Sequence, residues 1–192
     1  IFEFNVNDTA SDVTVKEGPT VGETFTLSVE NPKDGATYYW TDMEDTLNVQ
    51  GTELVLNEAE VIGYEGKQIY YIEKIANKIT TSNLYVYKVN YNISKPEQMI
   101  GIYKITSGAV KYSEDVDEEV RTLEGKNIVM LNDLDMTNLS YSYNNVKFRG
   151  TLDGNGNSVK TYTTIIGGNY GTIRNLTNSS ESSSLNICDA NY

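Results

Sequence analysis

The chain has 192 residues, enough for one large domain or two small ones, and an apolar fraction of 39% that supports packed cores over wholesale disorder. Its 27 acidic against 15 basic side chains leave a formal charge of −12, which argues against nucleic acid, whose phosphates need clustered Lys and Arg. With no histidine present, Ser-His-Asp and Cys-His catalysis, HExxH zinc chemistry and His-ligated metals are excluded for this chain.

The single cysteine, Cys188, rules out an internal disulfide framework and reads as a small buried apolar side chain. No apolar run approaches the ~20 residues that span a bilayer, so membrane insertion is not expected. No signal peptide is visible, and the start IFEFNVND reads as a mature or trimmed N-terminus. Fifteen tyrosines against three prolines suit a largely β protein with wet, hydrogen-bonding surfaces.

Residues 1–92 alternate in short strands between turn clusters, the pattern of an antiparallel sandwich. Strands are expected at Asp12–Lys16, Thr24–Glu30, Thr37–Thr41, Glu53–Leu56, Gln68–Ile75 and Asn83–Asn90. Turns fall at Gly18-Pro19, Asn31-Pro32, Asp34-Gly35, Gly63 and Glu65-Gly66. Phe25, Leu27 and Val29 share one face of their strand, and Tyr38 and Trp40 share one face of theirs, with Trp40 in the core. Flat rings on a sheet surface can stack on sugars or form a protein-binding patch, which makes Tyr39, Tyr71, Tyr85 and Tyr87 the candidate ligand-binding residues.

The order of a strand around Leu27, a Trp strand around Trp40, and Gly66 leading into Tyr70-Tyr71-Ile72 resembles an immunoglobulin-like domain. The inter-sheet cysteine pair of that family is missing, as in many bacterial modules of this type.

Ser94-Lys95-Pro96-Glu97 has the S-x-x-E form of a capping box with Pro in the first turn. Met99, Ile100, Tyr103 and Ile105 come next at near-helical spacing, so a short amphipathic helix is expected over 95–105, covering the first coil of the second half. The acidic cluster Glu114–Glu119 reads as a solvated linker or short helix.

In the second half Gly150-Thr151-Leu152 returns 21 residues later as Gly171-Thr172-Ile173, with Leu131 one step upstream. A fixed step of this size marks a solenoid, whose coils bury an inner face only against their neighbours. Val129 and Leu131, Leu134 and Met136, and Val146 and Phe148 are expected to point inward, with Leu131, Leu152 and Ile173 stacked in one column. Gly150, Gly154, Gly156, Gly167, Gly168 and Gly171 suit sharp corners, and Asn132, Asn155 and Asn175 suit the αL conformation there.

The series helix, NDLDM, FRGTLDGNG and GGNYGTIRNLTNS resembles the opening of right-handed parallel β-helices in secreted bacterial surface proteins. The last segment is similar to the GLUG repeat of such adhesins, found also beside the catalytic domain of Gram-positive IgA-cleaving metallopeptidases. About three coils are present, and the tail Ser179–Tyr192 shows no clear continuation. That tail is expected to fold over the open edge of the stack or to be covered by a neighbouring copy, a route to self-association.

Asp153-Gly154-Asn155-Gly156-Asn157 superficially resembles a calcium loop, but Ser158 and Thr164 stand where an EF-hand needs Gly and Glu, so a turn is expected and no metal. Asp133 and Asp135, two apart on one strand, are a conceivable glycosidase pair that reads better as a structural corner.

The expected fold class is therefore all-β: an immunoglobulin-like antiparallel β-sandwich over 1–92, then a helix-capped short parallel β-helix, a solenoid, over 93–192. The resemblance implies a non-catalytic extracellular module, at the cell surface or secreted, acting as an adhesin-like or spacer segment that contacts host glycan or protein. It implies no catalytic residue, no cofactor and no metal. The alternative it leaves open is an accessory non-catalytic region of a larger secreted enzyme, an IgA-type metallopeptidase or a polysaccharide-degrading β-helix.

Overall fold

The computed structural model describes residues 3–4, 13–14, 18–42, 44, 47–85, 87–110, 118–141, 147–180 and 187–191. It is strand-rich with few helices, and it divides into two compact units. The first comprises Ile1–Pro19, Thr24–Leu56 and Tyr64–Lys88. The second comprises Thr20–Glu23, Asn57–Gly63 and Val89–Tyr192, so it takes two short segments from the first half of the chain.

The first unit holds strands β1 (Glu3–Phe4), β2 (Val13–Thr14), β3 (Phe25–Val29), β4 (Ala36–Thr41), β5 (Asn48–Gln50), β6 (Glu53–Leu56), β7 (Ile69–Ile75) and β8 (Lys78–Tyr85). They form a five-stranded sheet in the order β1-β8-β7-β4-β5 and a three-stranded sheet in the order β2-β3-β6. Every pairing is antiparallel except that of β1 with β8.

Alternation explains these strands. Leu27 and Val29 of β3, Tyr38 and Trp40 of β4, Leu54 and Leu56 of β6, and Ile69 and Tyr71 of β7 are all buried, while the intervening side chains face outward. Trp40 lies wholly inside, its ring 5.8 Å from that of Tyr71 and its indole N–H donating to Gly51 O at 2.9 Å. Glu73, a buried carboxylate beside them, accepts from Lys33 Nζ at 2.7 Å and from Tyr38 Oη at 3.0 Å, which satisfies its charge.

One strand departs from expectation. The last strand of this sheet runs Lys78–Tyr85, not Asn83–Asn90, because β7 turns back at Ala76-Asn77 with Ile75 opposite Lys78. Ala76 sits at φ 50°, a left-handed position held without the Gly or Pro that normally announces a hairpin.

The second unit opens with α1 (Glu58–Gly63), followed by β9 (Asn92–Ile93), α2 (Pro96–Ser107) and α3 (Glu118–Thr122). Among the described residues these further strands come after them: β10 (Asn127–Met130), β11 (Leu134–Asp135), β12 (Lys147–Phe148), β13 (Thr151–Asp153), β14 (Ser158–Lys160), β15 (Ile166–Asn169), β16 (Thr172–Arg174), β17 (Thr177–Asn178) and β18 (Cys188–Asn191). They build three ladders, β9-β10-β13-β16, β11-β14-β17 and β12-β15-β18, in which every pairing is parallel. The chain passes through the ladders in the same order three times, each passage one layer further on.

The 21-residue echo is a register. Thr151 pairs with Thr172 and Leu152 with Ile173. The upstream partner of Leu152, however, is Ile128 and not Leu131. Ile128, Met130, Leu134, Met136, Phe148, Leu152 and Val159 are buried, whereas Leu131 is 51% exposed and Val129 half-buried. The inward phase of β10 is thus one residue off the expected one, because all four of Ile128–Leu131 are apolar and only pairing with Ile93 and Leu152 selects the phase. Val146 lies outside the described residues.

A helix lies where one was expected, running Pro96–Ser107, though its first turn has different chemistry. In α2, Met99, Ile102, Tyr103 and Ile105 are buried, the helix packs against β12, and Tyr103 stacks on Tyr141 at 5.4 Å. Its first turn is closed by Gln98 and not Glu97: Gln98 Oε1 accepts from the N–H groups of Ser94 and Lys95 at 2.7 and 2.9 Å. The acidic cluster lies largely outside the described residues, with Glu118 and Glu119 opening α3. Of the tail, the described residues Cys188–Asn191 continue the third ladder in parallel with β15 and do not fold across its edge.

Candidate binding surfaces

The proposed aromatic patch sorts itself by strand alternation. Tyr71 and Tyr87, each 1% exposed, are core side chains and do not present their rings to solvent. Tyr87 packs at 5.7 Å from Phe25. Tyr85 ends β8 opposite Ile69, and its side chain lies outside the described residues. Tyr39 is half-buried on the outer face of the five-stranded sheet, directly opposite Ile72.

Tyr70, half-buried and opposite Thr41, shares that outer face, and its hydroxyl donates to Gln68 Oε1. The outer patch is therefore Tyr39, Tyr70 and Ile72. The signal that assigns Tyr70 in place of Tyr71 is period-two alternation counted from buried Trp40, whose register partner is Tyr71. Chemically, two amphipathic rings flanking an aliphatic side chain on a flat sheet can stack against a sugar face or an aromatic partner.

The acidic residues of the ladder corners are engaged in the fold. Asp133 Oδ1 accepts from Ser158 N at 2.6 Å and from Ser158 Oγ at 3.0 Å, tying one coil to the next. Asp135 Oδ1 accepts from Thr137 N at 3.0 Å and Thr137 Oγ1 at 2.6 Å, and these bonds hold its carboxyl below the usual range. Each aspartate thus binds a hydroxyl residue of its own, Asp133 to Ser158 and Asp135 to Thr137.

Asp153 accepts from Asn155 N at 2.9 Å, Asn175 Nδ2 at 3.0 Å and Arg174 Nε at 2.9 Å. Its carboxyl is lowered by the Asn155 and Asn175 bonds and by the nearby guanidinium. The calcium-like loop is therefore a capped corner, in which Asn155 and the equivalent Asn175 both take φ 52°. Asn132 does not join them and instead donates its side-chain amide to Ser94 O at 3.2 Å.

Cys188 is half-buried in β18 as a free thiol. Among the described residues no cluster of His, Cys, Asp and Glu is arranged to hold a metal ion. No helix among them is long and apolar enough to cross a membrane. Compared with protein-family models, with curated proteins and with solved structures, the chain matches none of them.

Proposed function

We propose that this chain is a non-catalytic extracellular module of a bacterial surface protein, an immunoglobulin-like sandwich joined to the capped start of a right-handed parallel β-helix. The observation that carries the second half of this reading is the cyclic visiting of three parallel ladders, with Ile128, Leu152 and Ile173 in register down one of them. Stacked coils of this kind form stiff rods whose length grows with coil number, which suits a segment that holds other domains away from a surface. The sandwich reading is supported by Trp40, enclosed on strand β4 beside Tyr71, with the apolar positions of β3 and β6 buried in the same unit.

Within that role, the outer face carrying Tyr39, Tyr70 and Ile72 is the surface for a host glycan or protein, and the same face left unliganded makes the module a spacer. The reading carries no catalytic residue and no cofactor. A glycan array and a mucin pull-down on the purified chain test it. Binding that falls when Tyr39→Ala and Tyr70→Ala are combined supports an adhesin-like module, and silence in both assays supports the spacer. Turnover of a polysaccharide or of immunoglobulin A by this chain would sink the non-catalytic reading altogether.

A further inference from the structure

The outer face of the five-stranded sheet is solvated by its own composition. Trp40 and Tyr71 hold the buried phase, while Thr37, Lys74 and Thr81 stand exposed in the opposite one. Three side chains in this outward phase form a row along β7: Tyr70, Ile72 and Lys74. The row spans roughly 14 Å at the usual rise of a strand. Tyr39 lies opposite its middle member, Ile72, which makes Tyr70 and Lys74 the two diagonal neighbours of Tyr39. The Tyr70 hydroxyl donates to Gln68 Oε1. The Tyr39 hydroxyl and the Lys74 ammonium have no such partner among the described residues.

We infer that this face binds a glycan through an acidic sugar, whose carboxylate pairs with Lys74 Nζ while a sugar ring stacks on Tyr39. The inference rests on the reading of this face as a glycan surface. Charge selects the acidic sugar. The chain carries 27 acidic residues, yet the outward positions of β4, β5, β7 and β8 hold Lys74 and no carboxylate. Glu3 of β1 pairs with Lys78, in the opposite phase, and Glu73 is buried against Lys33 and Tyr38. A neutral sugar laid over the row would desolvate the Lys74 ammonium without replacing its water, whereas a carboxylate replaces it with a charged hydrogen bond. The net charge of −12 opposes the approach of an anion, but salt screens it beyond about 8 Å and leaves direct contact with Lys74 largely intact. The flanking side chains favour a sugar over a protein partner. Thr41, Gln50 and Thr81 bring hydroxyls and an amide that donate to and accept from sugar hydroxyls, in place of the apolar centre of a protein interface.

The test is binding of the 192-residue chain to mucin, native, sialidase-treated or desulfated, and to polygalacturonate. The expected result is binding to native mucin or to polygalacturonate that Lys74→Gln weakens at least ~10-fold, the scale of a hydrogen bond to a charged group. Sensitivity to sialidase tells a sialic acid carboxylate from a uronate. Lys74→Arg keeps the charge and should retain most of the binding. Lys147→Gln, at an exposed position on β12, removes one charge from the second unit and should leave binding intact. Binding that desulfation abolishes assigns Lys74 to a sulfate ester and overturns the carboxylate. Binding lost in Tyr39→Ala but unchanged in Lys74→Gln overturns the acidic sugar and leaves the glycan surface standing. Binding to none of these probes overturns both together and leaves the spacer.

Discussion

Gly22 and Gly101 meet backbone against backbone: a Cβ on Gly101 would lie 1.9 Å from the carbonyl oxygen of Gly22, and one on Gly22 would lie 2.0 Å from that of Gln98. This contact docks the short segment Thr20–Glu23 onto α2, where Glu23 Oε1 accepts from Gln98 Nε2 at 3.0 Å and pairs with Lys95 Nζ at 3.4 Å. It inverts an ordinary preference. In an exposed helix interior Gly→Ala gains up to ~1 kcal/mol, but here the methyl group has a carbonyl in its way. Gly101→Ala should cost about 1–3 kcal/mol in urea unfolding, the scale of overpacking. A more stable variant would show that this backbone approach is not made.

The inward phase of β10 can be tested by a matched pair. Leu152→Ala should cost about 2–5 kcal/mol, since its side chain is enclosed between coils. Leu131→Ala should stay within about 0.5 kcal/mol, because its side chain stands largely in water. Equal losses at the two positions would put Leu131 back into the column and Ile128 out of it.

Helix α1 is covalently part of the first half but belongs to the second unit, with Ala59, Val61 and Ile62 buried there and Glu58 bound to Lys104 at 2.9 Å. A fragment spanning residues 89–192 therefore lacks part of its own core. It should show weakened cooperativity in thermal denaturation and bind a hydrophobic dye. In the full chain, Ile62→Ala should cost about 2–5 kcal/mol. A sharp, dye-free transition in the fragment would refute this dependence.

Asp153 predicts an acid sensitivity of the ladder corners. Its folded carboxyl titrates below the unfolded value of about 3.9, owing first to the Asn155 N–H and the Asn175 amide. A lowered folded value means that the stabilisation is complete above that unfolded value and is lost as pH falls through the folded one. The melting temperature of Asp153→Ala should therefore lie below that of the parent at pH 6, and the gap should narrow below about pH 4. A gap independent of pH would assign the effect to packing instead of charge.

The legible parts of this fold are those where local chemistry permits one answer. Strand β6 occupies Glu53–Leu56, as its strict alternation of exposed and buried side chains requires. Asn155 and Asn175 take the left-handed corners expected of them, and Gly171 sits where a Cβ would strike Gly150 O at 2.1 Å. The hairpin at Ala76-Asn77 was illegible because the left-handed position falls on Ala76, a residue with no turn preference, and Asn77 stands there without an adjacent Gly, and this displaced the expected position of β8. Gln98 displaced Glu97 in the helix cap because a cap is chosen by where the first turn begins, one residue later than the motif suggests.

The residues alone determined that short strands and glycine corners would dominate, that Trp40 would be enclosed, and that a 21-residue echo would place Thr151 and Leu152 over Thr172 and Ile173. The tertiary structure alone decided that Ile128 and not Leu131 faces inward, that Tyr70 and not Tyr71 reaches the outer face, and that Asn57–Gly63 serves the second unit. The physical reason is common to all three. A strand offers two faces and a short helix several, and when more than one is apolar, the burial supplied by distant neighbours selects among them.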